Sequence, residues 1–366
     1  MADMLPPRAE VVVDLDAIRH NTALLAARAA ESGAATMVVV KADGYGHGAL
    51  PVARAALDAG ATWLGVVSVA EAMSLREAGV RAPLLCWLDV PGTDLRPAVE
   101  SDVDIGVSTV EGLRAAGPGA AVHLKIDTGL TRNGCPPDLW PELVAEAASS
   151  GVQVRAIWSH LACADEPGHP SIDAQAKRFD DAYDIALAAG LRPMRHLANS
   201  AATLSRSDLC FDLVRVGIAV YGLNPLPHKE DLVPAMTFRS SVVLTKRLPA
   251  GESVSYGQTW TSTVDTTVAL VPVGYADGVP RTLSGRMDVL LGGRRRPVVG
   301  RVCMDQIVVD CGDDPVRVGD EVVLFGTGAD GGPTATEWAD TIGTIDYEIV
   351  TGMYRPRVTR RYVGEP

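Results

Sequence analysis

The segment VVVKADGYGHGA, residues 38–49, carries three valines into Lys41 and then into a loop of small residues holding Asp43, Tyr45 and His47. A lysine that closes an apolar strand has two uses. Away from water its charged form is disfavoured, so the amine can be neutral and can condense with a carbonyl. Alternatively it is a structural cation in an ion pair. Alone, Lys41 leaves both open. Other groups end apolar runs in the same way: Asp127 and Arg132 in KIDTGLTRNG, His160 after VQVRAIWS, Asn199 and Ser200 after MRHLA, and Arg215 with Gly217 in VRVGIAVYG. ANSAA and VRVGIAVYG put small residues and backbone N–H groups where a phosphate could be held, with Tyr45 as a further donor. Arg215 could face a ring nitrogen. A carbonyl-reactive lysine, a phosphate cradle and a ring-nitrogen partner together describe a pyridoxal 5'-phosphate site. Other chemistries find less. No His/Cys/Asp/Glu cluster has metal-ligand spacing, and neither a dinucleotide fingerprint nor a P-loop occurs.

These residues converge only if the elements carrying them do. Eight short β-branched runs follow a first helix-like stretch, LDAIRHNTALLAARAAESG: 36–40, 63–68, 83–88, 103–108, 121–126, 152–159, 194–198 and 212–216. Ala- and Glu-rich segments such as ALPVARAALDAG and AQAKRFDDAYDIALAAG separate them, several ending in a helix-terminating glycine. Strands alternating with helices predict a parallel sheet, and eight units in this length predict a (β/α)8 TIM-type barrel. A doubly wound open sheet is the alternative. Barrel chemistry gathers at the C-terminal ends of the strands, where the groups above stand. From Met236 the texture changes to short Val-, Thr- and Gly-rich runs with turn signals, which predicts a mostly antiparallel β domain with one helix-like stretch, TATEWADTIGTIDYEIVTG. The expected organisation is a barrel over residues 1–235 and a β domain over 236–366, the first residues being candidates for pairing with the β domain.

With 366 residues and 47% hydrophobic content, the chain can build a large core, and its net charge of −12 argues against a nucleic-acid or basic membrane-surface role. No secretory signal and no run of roughly 18 apolar residues is visible, so a cytoplasmic location is expected. Six scattered cysteines form no CxxC pair and read as reduced thiols.

The whole chain resembles the bacterial alanine racemases. The resemblance is carried, in order, by VVVKADGYGHGA, KIDTGLTRNG, WSHLACAD, HLANSAA, VRVGIAVYG, VSYG, GYADG, GRVCMDQ and YEIV. It implies an isomerase dependent on pyridoxal phosphate that interconverts L- and D-alanine for peptidoglycan, working as a head-to-tail homodimer with shared active sites. Lys41 would hold the cofactor and act as base on one face of the substrate, and Tyr275 as base on the other. The alternative for Tyr275 is a rim aromatic with its hydroxyl satisfied. Arg215 would meet the pyridine nitrogen and, being only a donor, keep it unprotonated. His160 would lie beside the ring. Tyr45, Asn199, Ser200, Gly217, Ile218 and Tyr347 would bind the cofactor, with a helix cap as the alternative for Ser200 and a core tyrosine for Tyr347. Arg132 and the backbone N–H of Met304 would receive the substrate carboxylate, the methionine side chain being packing. Lys125 would be carbamylated and hold Arg132, whereas the plain reading is an interior ion pair with Asp127. Two departures stand out: Thr131 where glycine is common, and Thr359 where proline is expected. Competing readings are a racemase of another small amino acid such as serine, a pyridoxal-phosphate-dependent decarboxylase, and a non-catalytic pyridoxal-phosphate-binding protein. The β domain with GYADG and CMDQ weighs against the last.

Overall fold

The computed structural model describes residues 8–364. They form two compact units: Ala17–Leu232, and the chain from Val233 onward together with the segment ending at Asp16. Strand β1, Glu10–Asp14, belongs to the second unit.

The first unit is a ring of eight parallel strands: β2 Ala35–Val39, β3 Trp63–Val66, β4 Leu84–Cys86, β5 Val103–Val107, β6 Ala121–Lys125, β7 Gln153–Trp158, β8 Met194–His196 and β9 Leu213–Val216. Their order is β8-β7-β6-β5-β4-β3-β2-β9. No ladder joins β8 to β9, but two backbone bonds bring them together, Asp212 N–H to Arg195 O at 3.1 Å and Arg215 N–H to Ala198 O at 2.9 Å. The strands are short and apolar because helices cover one side and the barrel interior the other. Met37, Leu64, Leu84, Leu85, Leu124 and Val216 are fully buried. Side chains cap the intervening helices: Ser68 accepts from Glu71 N–H, Thr109 from Gly112 N–H and Asn199 from Ala202 N–H.

In the second unit, β10 to β19 follow as Met236–Ser241, Leu244–Leu248, Ser253–Val254, Trp260–Thr261, Thr266–Val271, Asp288–Leu291, Arg294–Val299, Ile307–Gly312, Glu321–Phe325 and Thr359–Val363. Nine strands make one sheet, ordered β11-β14-β17-β16-β15-β18-β10-β1-β19. It is antiparallel except where β1 pairs with β19. The fold is therefore the barrel with a mostly antiparallel β domain, and the open doubly wound sheet falls away. One expectation is corrected: the single helix-like stretch near the C-terminus is two helices, Ala335–Ile342 and Asp346–Thr351. Gly343 adopts a left-handed φ of 73° and ends the first. Thr359 also finds its reason. Its N–H donates to Ala9 O at 3.0 Å in the β1–β19 ladder, a bond a proline cannot make.

Candidate active site

Lys41 leaves β2 straight into a left-handed turn. Ala42, Asp43, Gly44 and Tyr45 have φ of 52°, 52°, 60° and 51°. Such a conformation costs roughly 1–2 kcal/mol for each residue with a side chain, so the surroundings must impose it. Glu71 Oε1 accepts from Ala42 N–H at 2.8 Å and its Oε2 from Val67 N–H, while Asp43 Oδ1 accepts from Ala49 N–H. Gly44 N–H reaches back to Val40 O, and Gly48 N–H to Asp43 O. Tyr45 stacks on Tyr221 at 4.7 Å, and Tyr221 donates to Val39 O. Strain enforced by this many partners is typical of a functional position. Its result is to turn Tyr45 back over the barrel. A Cβ at Gly217 would lie 2.6 Å from Tyr45 Oη, so this glycine is required by close approach. β2 and β9 are neighbours, with Met37 opposite Arg215.

The Lys41 amine forms no ion pair among the described residues, so the salt-bridged structural lysine is not found. Its nearest aromatic face is Trp87, 6.0 Å away. Burial first and Arg132 second lower its pKa, against an opposing pull from Glu71. Lys125 lies 4.3 Å above Trp158. Burial, then Arg215 and Arg132, bring it down to about 7. The expected interior ion pair between Lys125 and Asp127 is absent: Asp127 lies past the end of β6 and spends Oδ1 on Gly129 N–H and Thr131 N–H. Thr131 takes a left-handed φ of 56°, which accounts for glycine suiting that position.

Arg215 is buried and over-determined. Nη1 donates to His196 Nδ1 at 3.1 Å and His196 O at 2.9 Å; Nη2 donates to Ser159 O at 2.7 Å and His160 Nδ1 at 3.2 Å. Its Nε–H has no partner among the described residues and is the donor left to meet something else. Its guanidinium stands 4.8 Å from the Trp158 ring centroid. His160 is thereby brought to Arg215, and burial with Arg215 holds its pKa well below the usual range. Ser200 is not the helix cap; Asn199 is, with Oδ1 accepting from Ala202 N–H at 3.0 Å. Ser200 Oγ instead accepts from Gly217 N–H at 2.8 Å and Ala219 N–H at 3.4 Å. This draws the start of the helix at Ser200 to the Gly217–Ile218 bend.

In the other unit, GYADG forms a short turn pinned by its backbone. Tyr275 N–H donates to Cys303 O and Ala276 N–H to Met304 O, each at 3.0 Å. Asp277 is fully buried, accepting from Gly274 N–H and from Arg8 Nη1 and Nη2, with Arg357 at 3.5 Å. The Tyr275 side chain stays 39% exposed, and its hydroxyl has no hydrogen bond among the described residues, so the satisfied rim aromatic is not found. Met304 is 53% exposed and Tyr347 37%. Neither the packed methionine nor the core tyrosine is therefore met within this unit.

Sequence reading missed Asp104, His123 and His196, which are buried and mutually bonded. The available signal was a polar residue inside an apolar strand, in VDIGV and AVHLK and at the end of MRH. Trp158 was also missed as the floor beneath Lys125 and Arg215.

The family described as "Alanine racemase, N-terminal domain" matches residues 13–225, and "Alanine racemase, C-terminal domain" matches 235–362. Alanine racemase of Salinispora arenicola is 53% identical over 98% of this chain and 99% of its own. That of Mycobacterium avium is 52% identical over 97% and 95%. The crystal structure of alanine racemase from D-cycloserine-producing Streptomyces lavendulae superposes with a TM-score of 0.95 at 48% identity, covering 99% of each chain. That of Bacillus anthracis with bound L-Ala-P does so at 0.89 and 35%, covering 98% of this chain and 95% of its own. The chain belongs to the alanine racemase family of amino-acid racemases.

Proposed function

We propose that the protein interconverts L- and D-alanine with pyridoxal 5'-phosphate as cofactor. The observation that carries this is a lysine amine at a barrel strand end, with lowered pKa and no carboxylate partner. Lys41, Lys125 and Arg215 form no ion pair among the described residues, and nor does Arg132 beside them. Such a set calls for anionic guests, which a phosphorylated cofactor and an amino-acid carboxylate are. The unpartnered Arg215 Nε–H suits an acceptor nitrogen in a ring. The Ser200–Gly217 junction and Tyr45 suit a phosphate, with Asn199, Ile218 and Tyr347 as further contacts. When bound, pyridoxal phosphate supplies the electron withdrawal that acidifies the α-proton of the substrate.

Lys41 would hold the cofactor through Nζ, and that amine, once displaced by the substrate's own amine, would move a proton on one face of the α-carbon. Tyr275 Oη moves a proton on the opposite face. Arg132 and the Met304 N–H hold the carboxylate. Since the Tyr275 hydroxyl is exposed and unpartnered among the described residues, we assign it to the site of a second copy in a head-to-tail homodimer. Lys125, its pKa brought down by burial and then by Arg215 and Arg132, is suited to carbamylation, because carbon dioxide adds to a neutral amine and, with loss of a proton, yields an anion for Arg132. Purified protein supplied with L-alanine should form D-alanine, read by a D-amino-acid oxidase couple, and should do so far faster than it forms D-serine from L-serine. Preference for L-serine would refute the alanine assignment. Borohydride treatment should fix the cofactor on the peptide containing Lys41.

A further inference from the structure

Behind Arg215 a line of buried side chains runs through the barrel interior. His196 Nε2 lies 2.9 Å from His123 Nδ1, and His123 Nε2 lies 2.9 Å from Asp104 Oδ2. Asp104 Oδ1 meets Arg155 Nη1 at 3.2 Å. His123 and His196 are fully buried and Asp104 nearly so, whereas Arg155 is partly exposed and leans on Trp63. Four successive strands supply this line: β5 with Asp104, β6 with His123, β7 with Arg155 and β8 with His196.

The direction of every bond follows from its end groups. A guanidinium only donates, so His196 Nδ1 accepts from Arg215 and must be bare. A neutral imidazole with a bare Nδ1 carries its proton on Nε2, so His196 donates to His123 Nδ1. That nitrogen is then bare, and His123 carries its proton on Nε2, which donates to Asp104. A carboxylate only accepts, and the chain closes without conflict. Burial, joined at His196 by the Arg215 charge, lowers both imidazole pKa values, so neither is cationic near neutral pH.

We infer that Asp104, His123 and His196 are positioning residues that act on Arg215 from behind through a hydrogen-bond relay of fixed polarity. The Asp104 charge sets the tautomer of both histidines, and His196 Nδ1 holds Nη1 so that Nε–H points one way only. Trp158, stacked on His196 at 5.5 Å with its Nε1–H on His123 O, keeps the plane of the relay. The inverted arrangement would set an imidazole N–H against an arginine N–H. A relay of this kind makes Arg215 a stiffer donor than its carbonyl contacts alone would, and the polarisation of linked bonds strengthens it. The value of the relay to catalysis rests on the reading that Arg215 faces the cofactor ring; its existence does not.

The test is nitrogen NMR of the full-length protein as purified, labelled with [15N]histidine, its seven histidines assigned by single substitutions. His123 and His196 should both show a protonated Nε2 and a bare Nδ1 across roughly pH 6 to 8, a range in which ordinary histidines titrate. A proton on Nδ1 of either, or a cationic form of either, overturns the relay. This outcome is independent of activity, so failure of the racemase reading would leave it standing. In Asp104→Asn the amide can donate as well as accept, so only Arg215 still fixes the polarity; a minor share of the inverted tautomers should appear, with kcat reduced about 10- to 100-fold at nearly unchanged KM, since the wrong tautomer behind a reacting centre is costly. A folded Asp104→Asn protein with both tautomers and kcat unchanged would also overturn it. If that variant does not fold, the wild-type tautomers decide.

Discussion

Lys41 and Tyr275 are held in opposite ways. Around Lys41 the side chain is enclosed, the backbone is strained into a left-handed turn, and each strained residue has a named partner. Around Tyr275 the backbone is pinned by unstrained bonds to Cys303 and Met304 and by the buried Asp277 carboxylate, while the side chain is left in the open. The first region is complete within its unit. The second has a rigid base and an unsatisfied tip. A lysine that must be partly neutral needs enclosure, because burial is what lowers its pKa. The Tyr275 phenol has no hydrogen-bond partner among the described residues of its own unit, so any group that orients it would come from another surface. The contrast fits a site assembled from two copies.

The largest effect should come from the two reactive groups. Lys41→Ala should remove racemisation to background, since on the proposed reading both the covalent anchor and one base are lost. Tyr275→Phe should cost roughly 10²- to 10⁴-fold, the usual worth of an acid–base group. That loss should be lopsided: exchange of the α-proton with deuterium should survive far better from one enantiomer than from the other. Equal loss from both would break the two-sided comparison. Next, Asp277→Asn leaves Arg8 facing a neutral group at a buried site. Arg8 stays a third exposed, so we expect a loss of roughly 1.5–3 kcal/mol in urea unfolding, with a fall in kcat as the turn beneath Tyr275 loosens. An unchanged kcat would mean that the pinning is unrelated to function.

A smaller effect distinguishes the cation cluster. The folded-state pKa of Lys125 is depressed from its ordinary 10.5 to about 7. Between these values the unfolded chain binds a proton that the native state does not, so this group makes stability rise with pH across that window. Below about 7 the full penalty applies. Lys125→Met should therefore be more stable than wild type near pH 7, and the advantage should shrink towards pH 10.5, when unfolding is followed in carbon-dioxide-depleted buffer. A constant difference would show that Lys125 titrates normally. The smallest effect concerns the strained turn. Ala42→Gly should stabilise by roughly 0.5–1 kcal/mol, the left-handed cost less the extra entropy of glycine. Destabilisation would mean that the turn is not strained at Ala42.

Much of this was legible in the sequence. The eight apolar runs map onto β2 to β9, because a strand buried on both sides must be written in apolar residues. The polar ends were legible for the complementary reason: Lys41, His160 and Arg215 interrupt a pattern that has no structural need of them. The left-handed turn was not, since Ala42 has no intrinsic preference for positive φ and adopts it while bonded to Glu71, remote in sequence, and Tyr45 adopts it while stacked on Tyr221, more remote still. The Asp104–His123–His196 line was hidden because each member looks like an isolated misfit in its own strand. Only the barrel, which brings β5, β6 and β8 around one interior, makes them a group.

The shared site is tested most directly by mixing subunits. Lys41→Ala chains, which are inactive, are combined with weakly active Tyr275→Phe chains, and subunit exchange is demonstrated by mass-tagged heterodimers. In a heterodimer with shared sites, one site lacks both groups and the other pairs an intact Lys41 with an intact Tyr275. Activity should then rise well above the weighted mean of the two parents, towards a quarter of wild type, which is roughly the statistical share of intact sites at equal mixing. Activity that stays at the weighted mean, with heterodimers present, would contradict the account, because every site would then draw both groups from one chain.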